Sequence, residues 1–376
     1  MRVLAQQRPV TADTSLPVLG ASAGAKTLAA YRWLKSLKGK QGCVWGVADR
    51  HDVSVAGSYN GALDAFHTQT GKYPALYTLE YHDTDWVTGF TGANGWQTNL
   101  TNEIQRAFGL GVKILSVNAH MGNPVTGALS RNGQTGAISG APGYSHDRAG
   151  SPLAAIKTGG AQEAQFTAWM DRFFTFVDGI TYGGNKMPVI VRLFHENTGE
   201  SSWWAGRDRI TDYVLVWQKM VNYFKTTKSA TNMLFCWHAD TYDASVLSRW
   251  SEWYPGDSYV DIVSFSRYND ASPASIDDAS RLMETGCNNL RAIAPAKIWA
   301  LGECGFVADD TANLWDQRLC QPMTTRHQDF SYFTTWRNDP ASLKWGPGGN
   351  GSAARKASAA AAVLDPNVIT ADRCPL

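Results

Sequence analysis

The sequence lacks several features that mark other classes of protein. No apolar run approaches the roughly 20 residues that cross a bilayer, which argues against a membrane-spanning helix. An excess of one charge is also missing, since 34 basic and 33 acidic side chains leave a net charge of +1. With 18% charged residues, the chain should create no field that attracts nucleic acid or anionic lipid. We therefore expect a monomer that binds neither nucleic acid nor a membrane.

Motifs of several large enzyme classes are absent or incomplete. Residues 24–27 resemble the end of a phosphate-binding loop, but Ala25 stands where that motif needs glycine. Residues 195–199 begin like a zinc-protease helix, but Gly199 occupies the place of the second histidine. The chain has no GxSxG turn, and no GxGxxG turn follows a strand. These absences argue against the main kinase, dehydrogenase and serine-hydrolase classes.

Cysteine usage and the N-terminal residues bear on the cellular compartment. The cysteines show neither a CxxC pair nor the spacing of a zinc site. They are Cys43, Cys236, Cys287, Cys304, Cys320 and Cys374. Their even number permits three disulfide bonds and suits free buried thiols equally well. The first residues lack the apolar segment of a signal peptide. The chain is therefore either cytosolic or the mature form of a secreted protein from which that peptide has been removed, and we expect the second.

Aromatic residues, by contrast, are plentiful. The chain has 15 Trp and 14 Tyr, and many of them lie beside polar residues rather than inside apolar runs. Large barrels need bulky core residues, which is one use for these side chains. Exposed indoles also form platforms for sugar rings, because the apolar C–H faces of a sugar stack on aromatic surfaces. Both uses remain open from the sequence.

Short apolar runs alternate with segments of helical periodicity along most of the chain. Each candidate strand is rich in Val, Ile, Leu or aromatic residues and ends at polar residues or glycine. The eight candidates are 43–48, 74–79, 112–117, 188–194, 232–237, 260–265, 297–301 and 330–336. The intervening helical patterns are clearest at 166–177 and 210–224, and weaker at 24–38 and 276–292. Eight such repeats predict an α/β fold, a single (β/α)8 TIM barrel that occupies the whole chain, with its core at about 40–340.

Two segments fall outside this alternation. Residues 121–157 are too long and polar for an ordinary loop, and we interpret them as an insertion over the C-terminal face of the barrel. The tail, residues 346–376, contains an alanine-rich helix at 352–363. We expect the tail to pack beside the first strand.

Two glutamates close predicted strands. Glu196 ends the fourth strand and Glu303 ends the seventh. Active sites of these barrels lie at the carboxyl ends of the strands, so the two side chains could converge. Two carboxyl groups about 5–5.5 Å apart are what retaining glycoside cleavage needs. The alternative is that each glutamate is simply the first solvent-exposed residue after its strand.

Side-chain alternation links Glu196 to an arginine. In an extended strand, Arg192, Phe194 and Glu196 share one face and His195 takes the other. If Glu196 faces the barrel axis, so does Arg192, and an inward arginine is costly unless it meets a carboxylate. We therefore expect Arg192 to hold one carboxylate of the pair ionised. A structural salt bridge inside the barrel is the alternative.

The residues around Glu196 resemble the signature of glycoside hydrolase family 26, which is best known for β-mannanases. Residues 188–196 carry this resemblance, together with Gly199 and the pair Trp203–Trp204. Segments that agree in the same order lie at 118–124, 259–268, 301–305 and 336–338. The resemblance covers roughly 42–338 and implies a (β/α)8 barrel and a retaining mechanism.

The resemblance also implies roles for individual residues. Glu196 would be the acid/base and Glu303 the nucleophile. His120 would bind sugar near the cleavage point, and Tyr268 would donate a hydrogen bond to the nucleophile. The indole of Trp336 would form the floor of the central sugar-binding subsite. Neither a metal nor a cofactor is implied. The residues expected to line the substrate site are His120, His195, Trp203, Trp204, Tyr268, Trp336 and Arg192.

Two departures from the family pattern bear on the substrate. Residues 201–202 are serines where an aromatic pair is common, and Ser266 stands where an aspartate commonly precedes Tyr268 by two residues. The resemblance implies cleavage of β-1,4-mannosidic bonds in mannan, glucomannan or galactomannan. β-1,3-Xylan and mixed-linkage β-glucan are alternative substrates. A non-catalytic polysaccharide-binding barrel is a further alternative, although binding alone would not require both glutamates.

Overall fold

A closed barrel of eight parallel strands forms the centre of the computed structural model. The structure describes residues 14–49, 61–81, 96–119, 121–126, 150–199, 202–241, 249–269, 276–306, 316–336 and 352–376. The barrel strands are β1 (Cys43–Ala48), β2 (Leu76–Tyr81), β3 (Ile114–Ala119), β4 (Val189–Val191), β5 (Met233–Ala239), β6 (Ile262–Asn269), β7 (Ile298–Phe306) and β8 (Phe330–Thr335). Each strand pairs with the next, and β8 pairs with β1, which closes the barrel. The predicted (β/α)8 barrel is therefore confirmed.

Helices lie between the strands along the chain. They are Ala25–Leu37, Ala62–Thr70, Trp96–Gly109, Pro152–Ile156, Glu163–Asp178, Ile210–Asn222, Trp250–Trp253, Ile276–Ile293, Gln321–Thr325 and Ala353–Ala362. Two π-helical turns, Tyr223–Thr227 and Asp316–Cys320, adjoin helices, and an antiparallel hairpin, Thr181–Tyr182 with Asn185–Lys186, precedes β4. All four predicted helical patterns form helices. Within the described ranges, no helix is both long enough and apolar enough to cross a membrane.

The barrel interior changes from apolar to polar along the strands. Ile190, Ile262 and Ile298 belong to an apolar cluster inside the barrel. Successive side chains of a strand point to opposite faces, so the inward positions beyond these residues lie nearer the carboxyl ends of the strands. Two residues after Ile190 and Ile262 stand Arg192 and Ser264, both buried. Polar side chains therefore fill the upper part of the barrel, where catalytic sites of this fold lie.

The C-terminal tail packs beside the first strand, as the sequence predicted. A short strand, β9 (Val368–Ile369), pairs in parallel with Cys43 and Val44 of β1. The helix before it, Ala353–Ala362, is capped by Ser352, whose side chain accepts a hydrogen bond from the Arg355 backbone N–H. The tail thus adds a short strand beside the amino end of β1.

All six cysteines lie in the described part of the chain and are buried free thiols. Their even number allowed either three disulfide bonds or free thiols, and the structure has free thiols. Burial raises the pKa of the Cys43 and Cys304 thiols, so these groups stay protonated. Of the predicted insertion at 121–157, residues 127–149 lie outside the described residues.

Candidate active site

Glu303 lies on β7 at the carboxyl end of the barrel, and both oxygens of its carboxylate have partners. Oε1 is 2.6 Å from Nη1 of Arg192, and Oε2 accepts a 2.8 Å hydrogen bond from the hydroxyl of Tyr268. Glu303 is only 4% exposed and Arg192 only 1%. The predicted inward orientation of Arg192 and its pairing with a carboxylate are therefore confirmed. These two contacts fix the orientation of the Glu303 carboxylate.

A register shift between β6 and β7 brings Glu303 to this position. Phe265 pairs with Leu301, but the next residue, Ser266, pairs with Glu303, so Gly302 is an extra residue in β7. Such a bulge rotates the following side chain relative to a regular strand. On β6 the alternate residues Ser266 and Tyr268 share the inward face. Tyr268 can therefore reach the carboxylate that follows the bulge.

Glu196 reaches the site from a turn and not from a strand end. Strand β4 stops at Val191, five residues before Glu196. Phe194 and Glu196 have φ values of 50° and 54°, in the left-handed region. The prediction that Phe194 and Glu196 share a strand face with Arg192 is therefore wrong, because the backbone is no longer extended there. Two such residues cost about 1–3 kcal/mol each, a strain that occurs often at functional sites.

The Glu196 carboxylate accepts a hydrogen bond from strand β6, which also carries Tyr268, the hydrogen-bond donor to Glu303. Its Oε1 accepts a 2.8 Å hydrogen bond from the Ser266 hydroxyl, and the residue is 5% exposed. Ser266 is the register partner of Glu303 on the neighbouring strand, and Tyr268 lies two residues further along. The inward residues of β6 thus contact both glutamates at the carboxyl end of the barrel, and the separation of about 5–5.5 Å expected of a retaining pair stays a prediction.

Burial and charge act in opposite directions on Glu303. Burial raises the pKa of its carboxyl group, the positive charge of Arg192 lowers it, and the nearby charge of Glu196 raises it, so that the pKa of Glu303 is above its ordinary value. Burial and both carboxylates raise the pKa of Tyr268 well above its ordinary value. Tyr268 is therefore a permanent hydrogen-bond donor to Glu303.

A family model, "Glycosyl hydrolase family 26", matches residues 20–342. The chain belongs to this family. It is 25% identical over 343 residues to a "Mannan endo-1,4-beta-mannosidase A and B" of Caldalkalibacillus mannanilyticus, which covers 85% of this chain and 57% of that relative. A "Mannan endo-1,4-beta-mannosidase" of Bifidobacterium adolescentis is 24% identical over 354 residues, 89% of this chain and 33% of the relative. The chain therefore spans between a third and about 60% of the length of these curated relatives.

Solved structures of the family share the fold. The catalytic domain of a Bacillus sp. JAMB-750 GH26 endo-β-1,4-mannanase superposes with a TM-score of 0.77 at 19% identity, covering 97% of each chain. GH26C of Muricauda sp. MAR_2010_75 superposes with a TM-score of 0.75 at 23% identity, covering 94% of this chain and 93% of the other. At these identities the likeness shows a common barrel and nothing finer.

Two tryptophans of this family 26 barrel were predicted to contact substrate, and the structure buries both. Trp203 and Trp204 have 0% exposed surface. Trp203 Nε1 donates to the Met121 carbonyl and Trp204 Nε1 to the His195 carbonyl, each at 2.8 Å. The rings pack against Phe194 and against each other. The prediction that they line the substrate site is wrong, because a ring with no free face cannot stack on a sugar.

Three further residues were predicted to belong to the site, namely Trp336, His195 and His120. Trp336 follows β8, is partly exposed, and donates its backbone N–H to the Cys304 carbonyl at 2.8 Å. It has free surface at the carboxyl end and stays a candidate platform. His195 is 2% exposed and lies beside Trp204, so it shapes the turn that carries Glu196. His120 lies outside the described residues.

The sequence-based search missed His238, which lies among the site residues. Its imidazole is buried inside the barrel near the end of β5, within hydrogen-bonding distance of Ser264 and Ser266. A signal existed, because His238 falls two positions after Cys236 and so shares its inward face. Among the described residues, no group of three His, Cys, Asp or Glu side chains could hold a metal ion.

Trp204→Ala tests the corrected role of this residue. We expect it to lower the free energy of unfolding by about 3–5 kcal/mol, because it empties a large buried volume and strands the His195 carbonyl. Chemical denaturation followed by circular dichroism measures the change. The control Trp33→Ala, on a helix where the indole is only partly buried, should cost clearly less. An unchanged unfolding curve combined with weaker sugar binding would restore the original assignment.

Proposed function

We propose that the chain is a retaining glycoside hydrolase that cleaves β-1,4-mannosidic linkages, with Glu303 as the nucleophile and Glu196 as the acid/base. The observation that carries this proposal is the arrangement of the two carboxylates. Arg192 and Tyr268 hold Glu303, and Ser266 brings Glu196 to the same end of the barrel. Membership of family 26, with relatives named mannan endo-1,4-beta-mannosidases, supports mannan as the substrate.

The first half of the reaction forms a covalent intermediate. Glu303 attacks the anomeric carbon with its carboxylate while Glu196 gives its proton to the departing glycosidic oxygen. The bond from the anomeric carbon to that oxygen breaks as the bond to Glu303 forms. Arg192 favours the ionised form of Glu303, which is the nucleophilic form, against the effect of burial. Tyr268 keeps one carboxylate oxygen oriented throughout.

The second half releases the sugar. Glu196, now a carboxylate, takes a proton from a water molecule on the side that the leaving group has vacated. The water oxygen attacks the anomeric carbon and the bond to Glu303 breaks. Two successive inversions leave the configuration of the sugar unchanged. Both glutamates then have the protonation states from which they started.

Hydrolysis of defined polysaccharides tests the proposed substrate. Release of reducing sugar from soluble β-mannan, with at least tenfold slower release from β-1,3-xylan and mixed-linkage β-glucan, is the expected result. A time course of products from mannohexaose then distinguishes cleavage within the chain from removal of terminal units. Binding of mannan without hydrolysis would mean that the chain is a non-catalytic polysaccharide-binding barrel. Faster cleavage of xylan or glucan would change the substrate class.

The pH dependence should reveal the opposing effects on Glu303. Since burial raises its pKa, the acidic limb of kcat/KM should lie above about pH 4.3, the value for an unperturbed glutamate. The enzyme should be active at pH values above the pKa of Glu303 and should lose activity as the pH falls through that pKa, because the attacking form is the carboxylate. In Arg192→Met, only the hydrogen bond from Tyr268 still opposes burial and the charge of Glu196, so the pKa of Glu303 should rise and the limb should move to higher pH.

Profiles of kcat/KM against pH for both proteins measure this shift. The control is Arg106→Met. Arg106 forms an ion pair with Glu103 on the outer helix Trp96–Gly109, so this change also removes an arginine from a glutamate, but away from the site. This control should leave the limb in place. A limb in Arg192→Met at the wild-type position or lower would contradict the assigned role of Arg192.

Trp336→Ala should reduce kcat/KM about 10- to 100-fold on manno-oligosaccharides of every length. The change removes an apolar surface under the sugar at the cleavage point, which every productive complex must occupy. Steady-state kinetics on mannotriose through mannohexaose give the comparison. Tyr182→Ala is the control, since Tyr182 is 40% exposed in the hairpin that precedes β4, at the opposite end of the barrel. A loss confined to long substrates would place Trp336 at a distal subsite.

A further inference from the structure

His238 connects two serines inside the barrel, and one of them contacts Glu196. The imidazole is fully buried near the end of β5. Its Nδ1 lies 2.7 Å from the Ser264 hydroxyl and its Nε2 lies 2.8 Å from the Ser266 hydroxyl. Ser266 in turn donates to Glu196 Oε1 at 2.8 Å. A continuous chain of hydrogen bonds therefore runs from Ser264 through His238 and Ser266 to Glu196.

The strand that carries Glu303 makes room for this histidine. A Cβ atom at Gly302 would lie 2.5 Å from Nδ1 of His238 and 3.0 Å from the Ser264 hydroxyl. Such contacts are too short for any side chain, so only glycine fits at this position. Gly302 is also the extra residue that rotates Glu303 into the site. The bulge therefore both directs Glu303 and accommodates the imidazole.

The hydrogen-bond donors fix the state of the imidazole when Glu196 is ionised. Ser266 has one hydroxyl hydrogen, which it gives to Glu196, so its oxygen accepts from Nε2–H of His238. A neutral imidazole has a single N–H, so Nδ1 accepts from Ser264, whose hydrogen is given to Nδ1 at 2.7 Å rather than to the more distant Trp237 carbonyl at 3.3 Å. Burial, with a smaller contribution from the charge of Arg192, lowers the pKa of His238 well below its ordinary value. The imidazole is thus neutral and adds no charge beside the two glutamates.

We propose that His238 is a positioning residue, which directs the carboxyl group of Glu196 at the departing oxygen by holding the Ser266 hydroxyl in place. This inference rests on the proposed function, because it assumes that Glu196 is the acid/base. Ser266 donates to the Glu196 carboxylate. When Glu196 is protonated, its carboxyl group donates to Ser266, whose hydrogen then turns to Nε2; the imidazole is in its other neutral tautomer, with Nδ1–H donating to Ser264 and Ser264 donating to the Trp237 carbonyl. The same contact therefore holds Glu196 in both halves of the reaction.

Substrates with different leaving groups distinguish positioning from mere packing. Departure of a sugar from mannotetraose needs a proton from Glu196, whereas 2,4-dinitrophenolate leaves a β-mannobioside without one. In Ser266→Ala and His238→Asn, kcat/KM for mannotetraose should fall about 10- to 100-fold, as for loss of a hydrogen bond to a charged group. The value for 2,4-dinitrophenyl β-mannobioside should change by less than about threefold, since kcat/KM reports the first half of the reaction.

Two further variants control for damage to the fold. His238→Gln places an amide near the position of Nε2, which can donate to Ser266 or accept from it, and should recover most of the mannotetraose activity, whereas His238→Asn has no such group there. Ser331→Ala removes another fully buried serine hydroxyl, one that binds the Leu34 carbonyl away from the site, and should affect neither substrate. Thermal unfolding of every variant shows whether it is folded.

The outcomes separate this inference from the proposed function. Active wild-type enzyme with equal losses on both substrates in Ser266→Ala would make the chain of hydrogen bonds structural only and overturn the inference. Equal activity of His238→Gln and His238→Asn on mannotetraose would overturn it as well. Wild-type enzyme that hydrolyses neither substrate would overturn the proposed function, and the inference with it.

Discussion

Glu303→Ala should abolish hydrolysis of mannan and, when supplied with azide and 2,4-dinitrophenyl β-mannobioside, should produce the α-mannobiosyl azide. Loss of the covalent nucleophile should lower kcat by on the order of 10⁴-fold or more. The shorter side chain leaves space between Arg192 and Tyr268, the two groups that hold the native carboxylate. Azide in that space attacks the anomeric carbon once, from the face opposite the leaving group, and a single inversion gives the α product.

The anomeric proton signals in the NMR spectrum identify the azide product. Glu103→Ala is the matched control, because Glu103 is another buried glutamate paired with an arginine, on the outer helix Trp96–Gly109. It should retain hydrolysis and form no azide adduct. A β-azide from Glu303→Ala would assign the nucleophile to another residue, and so would more than a few per cent of wild-type turnover.

Glu196→Ala should give the opposite stereochemistry. With mannan, loss of the general acid and base should lower kcat by about 10²- to 10⁴-fold. With 2,4-dinitrophenyl β-mannobioside, the leaving group needs no proton, so Glu303 still forms the covalent intermediate. Azide then attacks in place of the water that Glu196 would have activated. The second inversion yields the β-mannobiosyl azide.

Comparison of the two alanine variants assigns the glutamates separately, which loss of activity alone cannot do. In Glu196→Ala, azide should accelerate turnover of the activated substrate, because release of the intermediate limits the rate. An α-azide from this variant would reverse the two roles. Absence of an azide product from both variants would mean that neither glutamate lies at the reacting carbon.

The sequence predicted the direction of a side chain correctly where that direction depends only on the extended backbone of one strand. The inward arginine at 192 was inferred from a strand face shared with Glu196, which does not exist, but alternation from Ile190 also places it inward, and it does meet a carboxylate. The same rule failed four residues later, because it assumes an extended backbone. Strand β4 is only three residues long, and the left-handed residues Phe194 and Glu196 turn the chain before the glutamate is reached. Glu196 thus reaches the site by a route that alternation does not describe.

The tryptophans show a second limit of the sequence. Trp203 and Trp336 both stand near polar residues in the chain, yet the first is fully buried and the second retains exposed surface. Neighbours in the sequence do not decide this difference. Trp203 is covered by Phe194 and by Trp204, and its indole N–H is bound by the carbonyl of Met121, 82 residues earlier. Exposure depends on contacts between distant segments.

The sequence by itself determined the alternation of strands and helices, the closed barrel that eight such repeats favour, and the two glutamates beyond β4 and within β7. These features depend on hydrophobic periodicity and on residue type, which are local properties of the chain. Only the tertiary structure decided which inward groups touch. The register shift at Gly302, the placement of His238 between Ser264 and Ser266, and the contact of Ser266 with Glu196 depend on how neighbouring strands align when the barrel closes. A shift of one residue in that alignment changes every such contact without changing the pattern of the sequence.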